Sequence, residues 1–430
     1  MQTKNWFPTL FAAALLALSL LACGLPTPTP PGPPVTITPF SPATAVSPTR
    51  AVEPTVGAPT AVPTAVPTEA PLASWLPENT FALYTSGSWE SRRLYALSPG
   101  PTSTDLGQPI SYQAAVSRRG RWIATTEGAS PARTIAITSL ENGTRYTYAL
   151  PPDFESYGMA FDHAETRLAL MELGPFGPDG VAWAIVVVNL ADGSTTRFAT
   201  VMGPERDFLP GRPIGWSAPG NELLLNTFMP ATEGNWAGVW AVTLPPGAPP
   251  APLDTLARRE LIPMGSYYDD PRLSPDATHL LYLNRDFAYT PAGYEPMAYD
   301  LAVNELWSVD IASGARTILV NVTDGGALAR AVSWSPENPQ ALFVRVSYAG
   351  ETFTSLALKR RDEAGTVHDA GSLSLPAGGG LQTIDWCLPD FALVTITDAS
   401  YNHQLQVAEF GGGSTLITSA EYISVLGCIP

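Results

Sequence analysis

Between residues 74 and 430 the chain alternates short apolar runs with turns rich in Ser, Pro, Asp and Gly. Leu223-Leu224-Leu225, Leu280-Leu281-Tyr282-Leu283 and Ala341-Leu342-Phe343-Val344 are such runs. Brief apolar stretches bounded by turn residues predict strands buried on both faces. Two local patterns recur. In the first, an apolar strand ends in a turn carrying Ser, Pro and an acidic or small residue, and a second strand follows at once. Trp334-Ser335-Pro336-Glu337, Leu273-Ser274-Pro275-Asp276 and Trp216-Ser217-Ala218-Pro219 show it most clearly. In the second, two strands flank a tight Gly turn. Ile185–Leu190 and Thr195–Phe198 enclose Ala191-Asp192-Gly193, and similar hairpins surround Asn142-Gly143, Ser313-Gly314 and Gly411-Gly412-Gly413. Glycine there supplies the positive φ that such hairpins need.

Aligned on Trp334, the first pattern recurs at 75, 116, 161, 216, 273, 334, 386 and 427, with spacings of 41 to 61 residues. Each unit thus predicts four antiparallel strands, a to d. A repeat of this length with strand composition points to an all-β propeller, because one small sheet cannot bury both of its own faces and must stack on neighbours. Seven complete units give seven blades; six or eight fit the spacing as well, since Leu72–Trp75 can itself be an inner strand. The last fragment, Tyr422–Cys428, has no strands after it and is expected to close the ring as strand a of blade 1.

The Ser274-Pro275-Asp276 turn and its variant Ser335-Pro336-Glu337 resemble the TolB/WD40-like bacterial propeller repeats. The resemblance covers residues 74–430. It implies the fold and says little of function, because such propellers serve many roles.

The N-terminal part has a different texture. Leu10 to Ala22 is a 13-residue apolar stretch behind Lys4, too short to span a bilayer, which needs roughly 20 apolar residues. It ends in Leu20-Leu21-Ala22-Cys23-Gly24, which resembles the bacterial lipobox. That resemblance implies a signal peptide over 1–22, cleavage before Cys23 and diacylation of its thiol. The alternative is an ordinary secretory signal with an incidental cysteine. Residues 24–73 hold 14 Pro and 10 Thr. With few large apolar groups to bury, such a segment stays extended, at about 3.1 Å per residue in polyproline II. Residues 23–73 are therefore expected to be a stalk, a plain spacer or an O-glycosylated one, between a membrane anchor and the domain over 74–430.

The formal net charge is −16, all of it in residues 74–430. An acidic domain repels phosphate backbones, so nucleic acid is excluded as a natural partner. Cys23, Cys387 and Cys428 are the only cysteines, and no CxxC or Cys/His cluster suggests a structural metal. Cys387 and Cys428 hold the same repeat position in neighbouring units. An exported setting permits a disulfide between them, and two buried thiols are the alternative.

No nucleophile elbow, zinc-protease motif, phosphate loop or EF-hand occurs, and none of the four histidines has a partner recognisable in sequence. No catalytic residue, cofactor or metal is assigned. The longest b–c connections are expected at Met171–Ala182, Met229–Gly234 and Arg285–Asn304. With the neighbouring d–a segments they gather Phe176, Trp183, Trp236, Tyr267, Tyr268, Asp269, Asp270, Phe287, Tyr289, Tyr294 and Tyr299 on one face. Aromatics beside carboxylates on long loops suit stacking on sugars or holding an extended peptide; they also suit packing of the loops on one another. The expectation is a membrane-tethered, extracytoplasmic, non-catalytic module binding a protein, peptide or glycan. The alternative is a glycan hydrolase or lyase, which needs paired carboxylates roughly 5–10 Å apart in a deep pocket.

Overall fold

In the computed structural model the described residues are 76–429, leaving aside 89, 112, 129–132, 178–179, 203–208, 230–235, 264–270, 287–288, 293–302, 337–338 and 350–351, with backbone alone at 176, 236, 237, 349, 352 and 353. They belong to the compact unit Pro59–Pro430. Among them, 28 strands form seven four-stranded antiparallel sheets, and one short 3-10 turn spans Leu253–Thr255. The protein is a seven-bladed β-propeller. The inner strands of blades 1 to 7 are Tyr422–Cys428, Ala114–Val116, Glu155–Phe161, Gly211–Trp216, Arg272–Leu273, Ala327–Trp334 and Gly380–Leu388.

The triple leucine of blade 4 shows why these sequences need a ring. Leu223, Leu224 and Leu225 are all fully buried. Side chains alternate along a strand. Leu223 and Leu225 therefore enter the wedge shared with blade 3, beside Trp183, Phe198 and Trp216. Leu224 enters the wedge shared with blade 5, beside Val239, Leu280 and Tyr282. Seven such apolar clusters fill the seven gaps between neighbouring blades. Burying one such side chain is worth about 1.5–3 kcal/mol, and no blade collects that without a partner on each side. The outermost strands are more exposed, with Val201, Ile318, Val367 and Leu416 open to solvent.

The Ser of the a–b turn has a definite task. Ser117 Oγ accepts the backbone N–H groups of Arg121 and Trp122 at 3.1 and 3.0 Å. Ser274 Oγ accepts those of Thr278 and His279 at 3.2 and 2.9 Å. In blade 3 Asp162 does the same for Thr166 and Arg167. The turn's buried donors are thus satisfied from within, at about 1 kcal/mol per bond.

A second device on this face joins neighbours. In blades 3, 4 and 5 the residue after the third strand, Leu190, Leu244 or Ile311, sends its N–H back to its own a–b turn. Its carbonyl accepts a side chain from the preceding blade: Tyr146 reaches Leu190, Arg167 reaches Leu244, and Arg259 reaches Ile311. Arg167 also bonds Asp162 at 3.1 Å and the Gly220 carbonyl, and lies over the Trp216 ring at 4.2 Å.

The ring closes with the end of the chain. Tyr422–Cys428 pairs antiparallel with Ala82–Gly87, from Gly87↔Tyr422 to Ala82↔Cys428. The Ile429 N–H then donates to the Phe81 carbonyl at 2.7 Å. The Ile429 side chain fills the blade 1–blade 2 wedge, where a Cβ on Gly120 would lie 2.9 Å from it. Cys387 of blade 7 and Cys428 are joined by a disulfide, their Cα atoms 4.9 Å apart. With blade 1 completed by this strand, the count is seven. Leu72–Trp75 lies outside the described residues.

One expected loop is not a loop. Met171–Ala182 continues the second strand of blade 3 to Gly177, and the third strand starts at Gly180, with Leu173 opposite Trp183. The Gly174-Pro175 pair reads as a break in sequence, yet the strand runs through it. Gly174 leaves no room for a Cβ, which would meet the Phe154 ring at 2.8 Å and the Ala182 carbonyl at 3.0 Å.

The disulfide spans 41 residues of sequence. Constraining an unfolded loop of that length is worth about 4 kcal/mol. Cys387→Ser, or reduction of the native protein, should therefore lower the melting midpoint followed by circular dichroism by several degrees. An unchanged midpoint would mean that the bond is idle in the folded balance.

Candidate functional site

The inner strands of blades 1 to 5 line two cavities that share Ala114, Met159, Ile214, Leu273, Ser424 and Leu426. They are two chambers of one channel, and Met159, Ile214, Leu273 and Leu426 make an apolar waist between them. The lower chamber, about 390 Å³, opens among the a–b turns and takes in Arg118, Asp162, His163, Ser274 and Pro275. The upper chamber, about 560 Å³, opens where the inner strands begin and holds Thr85, Arg92, Gln113, Arg212, Arg272, Tyr422 and Ser424.

The described lining of the upper chamber is basic. In a chain of net charge −16 it is lined by three arginines and, among the described lining residues, by no carboxylate. Each guanidinium is placed by its surroundings. Arg92, 4% exposed, lies 3.7 Å above the Tyr422 ring, which in turn packs on His403. Arg212 lays its aliphatic stem across Gly158, where a Cβ would stand 2.7 Å from Cγ. Gly158 has φ 129°, and its N–H donates to Gln113 Oε1 at 3.0 Å. Arg272 projects from blade 5 toward Asp385 of blade 7, with 3.8 Å between charged atoms. Burial pushes the Asp385 carboxyl above its ordinary value, while Arg272 and the Thr383 hydroxyl pull it down. Thr85 is buried in the same lining, and its Oγ1 has no hydrogen-bond partner among the described residues.

In the lower chamber Arg118 Nη1 lies 3.1 Å from His163 Nε2. Burial, then Arg118 and Arg119, lower the imidazole pKa, against a smaller pull from Asp276 and Asp162. Asp162 is the one carboxylate in this lining among the described residues, and the turn and Arg167 occupy both of its oxygens. Another carboxylate, Glu172, is fully buried beneath the strand pairing of blade 3. It accepts from the Tyr148 hydroxyl and from Arg197 Nε at 2.8 Å, and burial beside it raises the Tyr148 phenol. It is a structural cross-link between blades 2 and 3. Among the described residues no group of three or more His, Cys, Asp or Glu is close enough to hold a metal ion.

The aromatic residues singled out from sequence do not form one surface. Trp183 is fully buried in the blade 3–blade 4 wedge and is no part of an exposed face; its strand begins earlier than the sequence suggests. Tyr289 is half-buried, and its hydroxyl donates to the Gly326 carbonyl at 2.6 Å and accepts the Gly325 N–H at 3.0 Å. It packs its own loop against blade 6. Phe176 and Trp236 lie within strands, with only their backbones described. Tyr267, Tyr268, Asp269, Asp270, Phe287, Tyr294, Tyr299 and Cys23 lie outside the described residues. Sequence reasoning passed over Arg92, Arg212 and Arg272. The available signal was slight: Arg212-Pro213 and Pro271-Arg272 place arginines within the first two positions of inner strands.

No protein-family model matches the chain, and no curated protein sequence matches it. Solved structures do. A puromycin hydrolase mutant complexed with PGG aligns at TM-score 0.51 and 13% identity, over 82% of this chain and 54% of that one. An oligogalacturonate lyase in complex with manganese aligns at TM-score 0.50 and 12% identity, over 82% and 98%. TolB from Acinetobacter baumannii aligns at TM-score 0.38 and 14% identity, over 70% of this chain and 65% of the TolB chain. At these identities the likeness is one of fold.

The His163 environment has a measurable consequence. Its folded pKa lies below the ordinary 6.5, so as pH falls below that value the unfolded chain takes up a proton first. Stability is fully present above 6.5 and declines as pH falls toward the folded pKa. In an NMR titration the His163 midpoint should lie under 6.5, and Arg118→Gln should move it upward. A midpoint that Arg118→Gln leaves in place would remove Arg118 as a cause.

Proposed function

We propose that the protein is a membrane-tethered, extracytoplasmic propeller that binds a protein, peptide or glycan without transforming it, held by acyl chains on Cys23 and a Pro/Thr stalk. The observation that carries the binding half is the upper chamber: a concave, polar-lined space on the face where the longest connections between strands begin and end. Thr227 pairs with Gly211 beside Arg212, and Asn284 pairs with Glu305, so the strands flanking residues 229–235 and 285–304 end on that side. Binding sites in propellers and barrels favour such mouths, where loops vary on a rigid frame.

A glycoside hydrolase working in the same space requires two carboxylates poised across a scissile bond. The described lining offers three arginines above the waist and the fully engaged Asp162 below it. That composition supports holding a ligand over cleaving one. For the tether, the support is the lipobox-like Leu20-Leu21-Ala22-Cys23 and the 14 prolines that follow. The Cys387–Cys428 bond fits an oxidising compartment. Two acyl chains give stable anchoring, since each buried CH₂ adds about 0.8 kcal/mol.

Both halves are open to direct test. Wild-type protein should fractionate with membranes and incorporate labelled fatty acid. Cys23→Ala should do neither; retention of the variant in membranes would remove the lipid tether. On arrays of envelope glycans and peptides, Trp236→Ala with Tyr294→Ala should weaken binding at least tenfold. Unchanged binding by that double variant would move the binding surface away from these connections.

A further inference from the structure

We propose that the connection between the third and fourth strands of blade 4 is a docking ligand: residues 248–252 form an exposed polyproline segment that a partner protein takes into a groove lined with aromatic side chains. The inference stands apart from the reading of the upper mouth, since there the chain receives a ligand and here it offers one. In other blades this connection is short. It spans residues 140–144 in blade 2, 190–194 in blade 3 and 311–315 in blade 5, but 244–257 in blade 4. A connection of that length with so little regular structure is uncommon in a compact domain and usually serves a function.

Local chemistry fixes its shape. Pro246 and Gly247 form the centre of a turn in which the Ala248 N–H donates to the Pro245 carbonyl at 3.1 Å and Gly247 takes φ 71°. Proline at the second position and glycine at the third is the type II pattern. Ala248-Pro249-Pro250-Ala251-Pro252 follows. Each proline holds φ near about −65°, and a residue that precedes proline is driven to extended backbone. Ala248, Pro249 and Ala251 all precede prolines, so the segment is steered into polyproline II. Pro252 shows it, with φ −58° and ψ 131°. Buried leucines hold the segment at both ends. Leu244 before it and Leu253 after it lie in the wedge between blades 3 and 4, where Ala248 and Leu256 also pack. Between these leucines Pro245, Pro246, Pro249, Pro250 and Pro252 are all exposed. The Ala251 N–H and the carbonyls of Pro249, Pro250 and Ala251 make no backbone hydrogen bond among the described residues.

Covering the wedge requires the leucines; it does not require five proline rings held in water. Polyproline II has three residues per turn, so Pro249 and Pro252 share one face. That Pro-x-x-Pro spacing is what aromatic-lined grooves accept. A segment already extended and fixed at both ends has little ordering entropy left to lose on binding. The net charge of −16, with exposed Asp254 beside the segment, favours a groove with a basic rim. None of these prolines lines the channel, so a partner can take them without disturbing it.

The test is calorimetric titration of the full chain with isolated WW, SH3 and EVH1 modules as polyproline readers. At least one should bind saturably. Pro249→Ala with Pro252→Ala should weaken that binding at least tenfold, with the fold retained by circular dichroism. Pro28→Ala with Pro31→Ala, which removes the same spacing from the N-terminal segment, should leave the binding unchanged. Absence of saturable binding by every module, a 249/252 variant that binds as tightly as wild type, or loss of binding in the 28/31 variant would each overturn the proposal. Self-association in sedimentation that the 249/252 variant abolishes would place the groove on a second copy of this chain, and would overturn it too. Its failure is separable from that of the upper-mouth reading, which is tested through Trp236 and Tyr294 with other probes.

Discussion

The structure depends on the antiparallel pairing of Tyr422–Cys428 with Ala82–Gly87. The second strand of each blade is buried on both faces, as Leu223, Leu224 and Leu225 are in blade 4. Such a sheet has no stable isolated form, because one apolar face always meets water. In a ring of seven the difficulty passes from blade to blade until the last meets the first. There the chain brings its own end back, adding the ladder to Ala82–Gly87, the Ile429 side chain in the next wedge and a covalent bond to blade 7. The free edges that an open row of blades would present are thereby removed.

What could be foreseen from sequence follows from how local each signal is. The Asp192-Gly193 and Ser313-Gly314 hairpins and the Ser274-Pro275-Asp276 turn are short-range chemistry, so the strand order was legible and so was the role of residues 422–428. Strand ends were less so. Gly174-Pro175 looks like a loop, but Leu173 pairs with Trp183 across an extended ladder, and only long-range pairing carries a strand through such a dipeptide. That same register buries Trp183, which sequence alone left on a loop. The channel arginines were illegible for a different reason. Arg92, Arg212 and Arg272 are 120 and 60 residues apart in the chain, and only ring closure makes them neighbours.

The two ends of the channel use their polar groups differently. Around the a–b turns, Ser117, Ser274 and Asp162 satisfy backbone donors, and Tyr146, Arg167 and Arg259 tie each blade to the next. These groups cannot be given to a ligand without loosening the ring, since breaking one partner of a buried ion pair such as Arg167–Asp162 costs about 3–5 kcal/mol. The lower face is therefore committed to architecture.

In the upper chamber the described ties are different: Arg92 stacks on Tyr422 and Arg272 reaches Asp385. The wedges beneath it are closed by apolar side chains, and the inner strands keep their ladders whatever side chain projects inward. Arg92, Arg212 and Arg272 nevertheless enter the chamber wall, and Asp385 beside Arg272 is buried enough for its own carboxyl to rise. A propeller needing only to stand does not need long charged side chains there, since the small or apolar Ala114 and Ile214 line the same wall. Polar residues that a ring closed by apolar wedges does not require are a frequent mark of a site. That argument, more than any likeness of outline, supports the proposal that the upper mouth is the working end of the molecule.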